Sequence, residues 1–246
     1  MLKIGEFSKL SHLTVKALRF YEKEGLIIPA SVDKFTGYRL YETYQLEDAA
    51  KIKSEIVDVQ KTNYIAVRGK GNPNIEGGAY QRAIGVLYAV AYILKMSYKT
   101  DYKIEGFFDY VVPPLEGFWW QDGVDGADYT DKSAFNWISV IRLPDFVTKK
   151  DFKWAVDMAS KKKKIDCSSA EFLTLHEGLC VQIMHIGSFD DEPETVALMD
   201  DFLAKNGYEN DISKTRLHHE IYLSDARKTV PEKQRTIIRH PIKSVR

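Results

Sequence analysis

The sequence predicts an α+β chain. A short helix-turn-helix with a hairpin wing comes first, then a larger part in which the order strand-helix-strand-strand occurs twice around a largely antiparallel sheet. Three observations predict it. Residues 1–54 alternate short helical patterns with turn residues, and beyond them come long β-rich stretches, many aromatics and isolated helices. Two of those stretches end in similar words, Ile141-Arg142-Leu143-Pro144 and Ile238-Arg239-His240-Pro241, which marks an internal repeat. The chain has 246 residues, 44% hydrophobic and 28% charged, enough apolar material for one large domain or two smaller ones. We set the domain boundary at 1–54 and 55–246.

In the first part, Ile4, Phe7 and Leu10 repeat at helical spacing. Thr14 is placed to cap a second helix from Val15 to Glu24, and Gly25 to stop it. Leu26–Pro29 and Tyr38–Tyr41 read as two strands, joined by a turn over Asp33–Gly37. Another helix is expected from Glu47 to Lys53.

In the second part, the first copy reads as a strand at Tyr64–Gly69, a helix at Tyr80–Met96, and strands near Tyr110–Pro114 and Trp137–Leu143. The second copy reads as a strand at Gly178–His185, a helix at Glu192–Asn206, and strands near Glu220–Leu223 and Thr236–His240. Asp190 or Asp191 is expected to cap the later helix, with Pro193 in its first turn and Gly207 at its end. Between the copies lies a helix from Thr148 to Lys161, opened by Thr148 and Asp151 as a capping box.

Charge and composition exclude several functions. Thirty-five basic residues balance thirty-five acidic ones, so the chain does not coat nucleic acid by bulk charge. Residues 1–54 hold nine Lys and Arg against seven Asp and Glu, which leaves room for a local basic face. No apolar run reaches the length of about 18 residues needed to span a bilayer, and no membrane partner is expected. Two cysteines, Cys167 and Cys180, fit a reducing cytoplasm and cannot build a disulfide framework. The glycine-rich loop Gly69–Pro73 lacks phosphate-loop spacing, and no cofactor is expected. His218 and His219 are adjacent on a predicted strand and point to opposite faces, so no metal site is expected either.

Lys16, Arg19 and Lys23 share one face of the second helix, opposite Val15 and Leu18, as a helix that enters a major groove requires. Lys3–Leu10, Thr14–Ile27 and the word Gly37-Tyr38-Arg39-Leu40-Tyr41 resemble the head of MerR-family transcription regulators over about 50 residues. The resemblance implies a winged helix-turn-helix. It carries DNA contact to Lys16 and Arg19 on the recognition helix, to Tyr21 near the backbone, and to Tyr38 and Arg39 on the wing. The family's dimerisation helix has no room here, since the next strand begins by Asn63. Two-fold DNA contact then has to come from the C-terminal part, through a homodimer, or be lost.

In that part, Tyr88, Tyr92, Tyr110, Phe118, Trp119, Trp120 and Tyr222 are expected to line a groove where the two repeats meet. Such a cleft with one carboxylate suits a flat, hydrophobic or cationic ligand. Glu220 is that carboxylate, in a strand otherwise fit for burial; Glu116 is a second candidate, in a loop and so exposed. Residues 56–246 resemble the GyrI-like, or effector-binding, family through Tyr80–Lys95, Pro113–Trp120, Gly178–Thr195 and His219–Leu223. The resemblance implies a small-molecule pocket with Glu220 facing aromatics, and Tyr110 as its counterpart in the other repeat. It also implies an enzyme alternative, hydrolysis of electrophilic cyclopropane-type compounds, in which Glu220 and Tyr110 are catalytic. The main expectation is a ligand-responsive regulator of transcription. A hydrolase and a drug-sequestering protein are the alternatives.

Overall fold

A computed structural model of the chain describes residues 1–11, 13, 15–23, 27–46, 49, 54–124, 128 and 130–245. The cap expected at Thr14, the stop at Gly25 and nearly all of the helix from Glu47 to Lys53 lie outside the described residues. Contacts divide the chain into two compact units: Met1–Val57 with Val181–Asn210 and Leu223–Arg246, and Asp58–Cys180 with Asp211–Tyr222.

The first unit contains the N-terminal head. Helices α1 (Ile4–Ser11) and α2 (Val15–Lys23) are flanked in sequence by the strands of a three-stranded antiparallel sheet. In it β3 (Arg39–Tyr41) lies between β1 (Leu2–Lys3) and β2 (Ser31–Val32). No strand forms at Ile27–Pro29. Ile27 is drawn into the core instead, and Pro29 has no N–H to give to a ladder. Phe7, Leu13, Leu18, Tyr21, Ile27 and Tyr41 build the head's core, with the Phe7 and Tyr41 rings stacked at 4.4 Å. That core continues onto Met184, Ile186 and Leu198. These residues belong to β9 (Gly178–Ile186) and α5 (Glu192–Asn206), so the head is packed on elements of the second repeat.

The rest of this unit is built from β4 (Glu55–Val59), β9 and β12 (Arg235–Ser244), with β10 (Tyr208–Asn210) paired to β12. Met199 and Leu203 bury the apolar stripe of α5 against Val181, Ile183, Ile238 and Ile242. Gly207 ends α5, and its N–H bonds the Leu203 carbonyl. Asp191 precedes the helix without a capping bond; Ser188 caps the short turn before it.

The second unit is an antiparallel sheet in the order β11 (His218–Tyr222), β6 (Leu115–Gln121), β7 (Phe135–Arg142), β5 (Thr62–Lys70), β8 (Glu171–Leu175). Helices α3 (Ala79–Lys95) and α4 (Lys149–Lys163) pack together, and their core joins one sheet face through Ile65, Val67, Trp137 and Ile141. The Thr148/Asp151 capping box is formed from both sides. The strand expected at Tyr110–Pro114 forms five residues later, as β6. Pro113 and Pro114 cannot donate ladder bonds, and pairing begins at Leu115 with β7 and at Glu116 with β11.

Candidate functional site

The pairing of β6 with β11 places His218 opposite Trp119, His219 opposite Phe118, and Glu220 opposite Gly117. Because strand residues alternate, each strand divides its side chains between two faces. Gly117, Trp119, His218, Glu220 and Tyr222 share one face; Glu116, Phe118, Trp120 and His219 share the other.

On the first face, Trp119 Nε1 donates to the Tyr222 hydroxyl at 2.8 Å. His218 Nε2 lies 2.9 Å from Glu220 Oε1. Tyr80, in the first turn of α3, lies 5.3 Å from the Trp119 ring and 5.2 Å from the Trp137 ring. Burial raises the Tyr80 and Tyr222 hydroxyls above the ordinary phenol range, and the Glu220 carboxylate raises both further. The two phenols therefore stay protonated as donors at neutral pH. Gly117 is what lets this cluster close. A Cβ there would stand 2.6 Å from Trp119 Nε1 and 2.8 Å from the Tyr222 hydroxyl. The result is an aromatic wall of Tyr80, Trp119 and Tyr222, backed by the buried Trp137, beside a carboxylate that is 9% exposed. It has the means to stack on a flat ring, attract a cation, or accept a proton.

On the opposite face, His219 is fully buried and stacks on Phe118 at 4.0 Å. Its Nδ1 meets Glu177 Oε2 at 2.9 Å and its Nε2 meets Glu116 Oε2 at 3.0 Å. Both ring nitrogens face carboxylates, and only the imidazolium donates from both. Burial opposes that charge, but Glu116 and Glu177 outweigh it and raise the His219 pKa. Arg216 donates to the Glu177 and Leu179 carbonyls, fastening the turn that carries Glu177. Glu116 is thus a buried partner of His219, not an exposed loop residue.

The other expected pocket residues disperse. Trp120 faces the side opposite Trp119 and packs with the cluster of Tyr64, Phe118 and Ile138. Tyr110 lies in the coil before β6, among Phe107 and Phe146, with Lys95 Nζ 5.4 Å from its ring. Burial there pushes its hydroxyl up to about 12. It is not the strand counterpart of Glu220, because the strand it was assigned to starts after it. Tyr88 and Tyr92 line a separate groove of about 360 Å³ with Gly85, Ala89, Lys163 and Ile165, on the flank of α3. Tyr80 and Gly117 were not read from the sequence. A glycine between bulky strand residues was the available signal for the second.

In the head, Lys16 and Arg19 are exposed on α2 and Tyr38 is exposed on the wing. Tyr21 is 1% exposed and belongs to the core, because its position on α2 falls on the Leu18 side. Arg39 is held in an ion pair with Glu22 of α2.

Comparison with known proteins finds matches in both parts of the chain. Residues 52–243 match the GyrI-like small molecule binding domain, and the chain belongs to that family. Residues 3–41 match the MerR family regulatory protein. The multidrug-efflux transporter 1 regulator of Bacillus subtilis is 51% identical over 51 residues, 21% of this chain and 18% of that protein. The transcriptional regulator BrlR of Pseudomonas aeruginosa is 36% identical over 52 residues, 21% of this chain and 19% of that protein. The chain thus spans about a fifth of the length of these regulators. A solved structure described as a hydrolase from Listeria innocua is 44% identical. It covers 78% of this chain and 93% of its own, with a TM-score of 0.71.

Proposed function

We propose that this protein is a ligand-responsive, DNA-binding regulator of transcription that senses a hydrophobic, aromatic or cationic small molecule. One observation carries the reading. A helix-turn-helix head with Lys16 and Arg19 exposed on its second helix shares a hydrophobic core with β9 and α5 of the small-molecule-binding domain. A head packed in this way responds to any ligand that favours one arrangement of those elements over another. The heads of the two multidrug regulators are similar to this one, which supports drug-like ligands.

The test is fluorescence anisotropy of a labelled duplex from the gene's own upstream region, titrated with the full chain at two salt concentrations. Salt-sensitive, sequence-selective binding that weakens in Arg19→Ala supports the reading. Equal affinity for a scrambled duplex overturns it.

A second reading is favoured by the cluster itself and by the likeness to the Listeria hydrolase. Glu220 takes a proton from water, and the protonated Tyr222 donates to the electrophile's developing negative charge. Turnover of an electrophilic aromatic compound, followed by mass spectrometry and lost in Glu220→Gln, would establish it. Binding without product would exclude it.

A further inference from the structure

We propose that the wing engages DNA through Phe35, entering the minor groove, and that Arg39 serves as the strut that holds the wing to the recognition helix. The inference rests on the DNA-binding reading above.

Phe35 sits at the tip of the wing and is 99% exposed. Its turn is well held. Asp33 Oδ1 accepts from the Phe35 N–H at 2.9 Å and the Thr36 N–H at 2.8 Å. The Asp33 N–H donates to the Tyr38 carbonyl at 2.9 Å, and the Gly37 N–H to the Asp33 carbonyl at 2.9 Å. Gly37 takes φ +68°, which closes the turn without Cβ strain. A large apolar ring is therefore presented to solvent on a defined backbone. Cations flank it. Lys34 is exposed beside it, and Lys3 Nζ lies 5.5 Å from the ring of exposed Tyr38. Basic side chains that hold phosphates around an apolar side chain that enters the minor groove are the chemistry by which proteins grip and unstack duplex DNA.

Arg39 is committed elsewhere. Its guanidinium pairs with Glu22, on the same helix as Lys16 and Arg19, and both side chains are partly buried. If Arg39 turned to a phosphate, the Glu22 carboxylate would be left bare next to the anionic backbone. The pair therefore neutralises Glu22 and sets the angle of the wing to α2.

The test uses the full chain, the upstream duplex, and copies of it with 2-aminopurine at successive positions flanking the half-site. Phe35→Ala should weaken binding about tenfold with an unchanged salt slope, and abolish the rise in 2-aminopurine fluorescence at the wing's step. Lys34→Ala should lower the salt slope by about one. Arg39→Ala should weaken binding, and Glu22→Gln in the same chain should restore most of it. Wild-type affinity with an intact fluorescence rise in Phe35→Ala overturns the role of Phe35 and leaves DNA binding standing. Equal loss in Arg39→Ala and the double variant overturns the strut. Absence of selective binding by the wild type overturns the DNA reading and this inference with it.

Discussion

The two faces of the β6–β11 pair make opposite uses of the same residue types. Each carries a histidine hydrogen-bonded to a glutamate, and the two histidines are neighbours in sequence. His219 is fully enclosed, has both nitrogens engaged by carboxylates, and stacks on Phe118. His218 Nε2 meets Glu220 at the edge of an aromatic wall, and neither side chain is fully enclosed. The first arrangement is saturated and structural; the second retains chemical capacity. A buried ion pair is held by full compensation of its charges, whereas a binding site needs groups whose partners a ligand can replace.

The largest way to break this contrast is His219→Ala. Removing the imidazolium takes away the cation that lies between Glu116 and Glu177. A loss of about 3–5 kcal/mol in denaturant unfolding is expected. A loss under 1 kcal/mol would mean that the back face is no more committed than the front. Gly117→Ala acts on the front. Its methyl group would drive Trp119 and Tyr222 apart and weaken binding of a cationic aromatic dye about tenfold, read by tryptophan quenching. Unchanged quenching would show that the ligand sits away from this wall.

A pH titration of stability sharpens the comparison further. The folded pKa of His219 is raised, so its contribution is complete below the unfolded imidazole value of about 6.5 and is lost as pH rises through the folded value. Stability should therefore decline above that point in the wild type, and the slope should flatten in His219→Gln. The smallest effect is expected from Tyr222→Phe, which removes the bond from Trp119 and costs about 1 kcal/mol. Tyr110→Phe, by contrast, should leave dye affinity unchanged, which a direct titration checks.

Local signals were legible where local physics decides. The Thr148/Asp151 box, the end of α5 at Gly207 and the strand around Glu220 all form as the sequence indicates. Glu220 stood out because a carboxylate amid apolar strand residues needs a reason to be there. The aromatic residues were less legible. Seven aromatics looked alike in the sequence, and period-2 alternation alone separates Trp119 from Trp120 once the strand is placed. Misplacing that strand by five residues brought Tyr110 into the site and left Gly117 unread.

By itself, then, the sequence determined the main helices of the second part, both family resemblances, the helix ends at Thr148 and Gly207, and the strand that carries Glu220. Each depends on residues close together along the chain, through capping bonds, side-chain period and backbone preference. The tertiary structure decided which residues meet: Tyr80 with Trp119, His219 between Glu116 and Glu177, Arg39 with Glu22, and the head with β9 and α5. Those meetings depend on strand register and on packing between distant segments. A shift of one residue reverses a strand's faces, and no local preference encodes which register the rest of the sheet will accept.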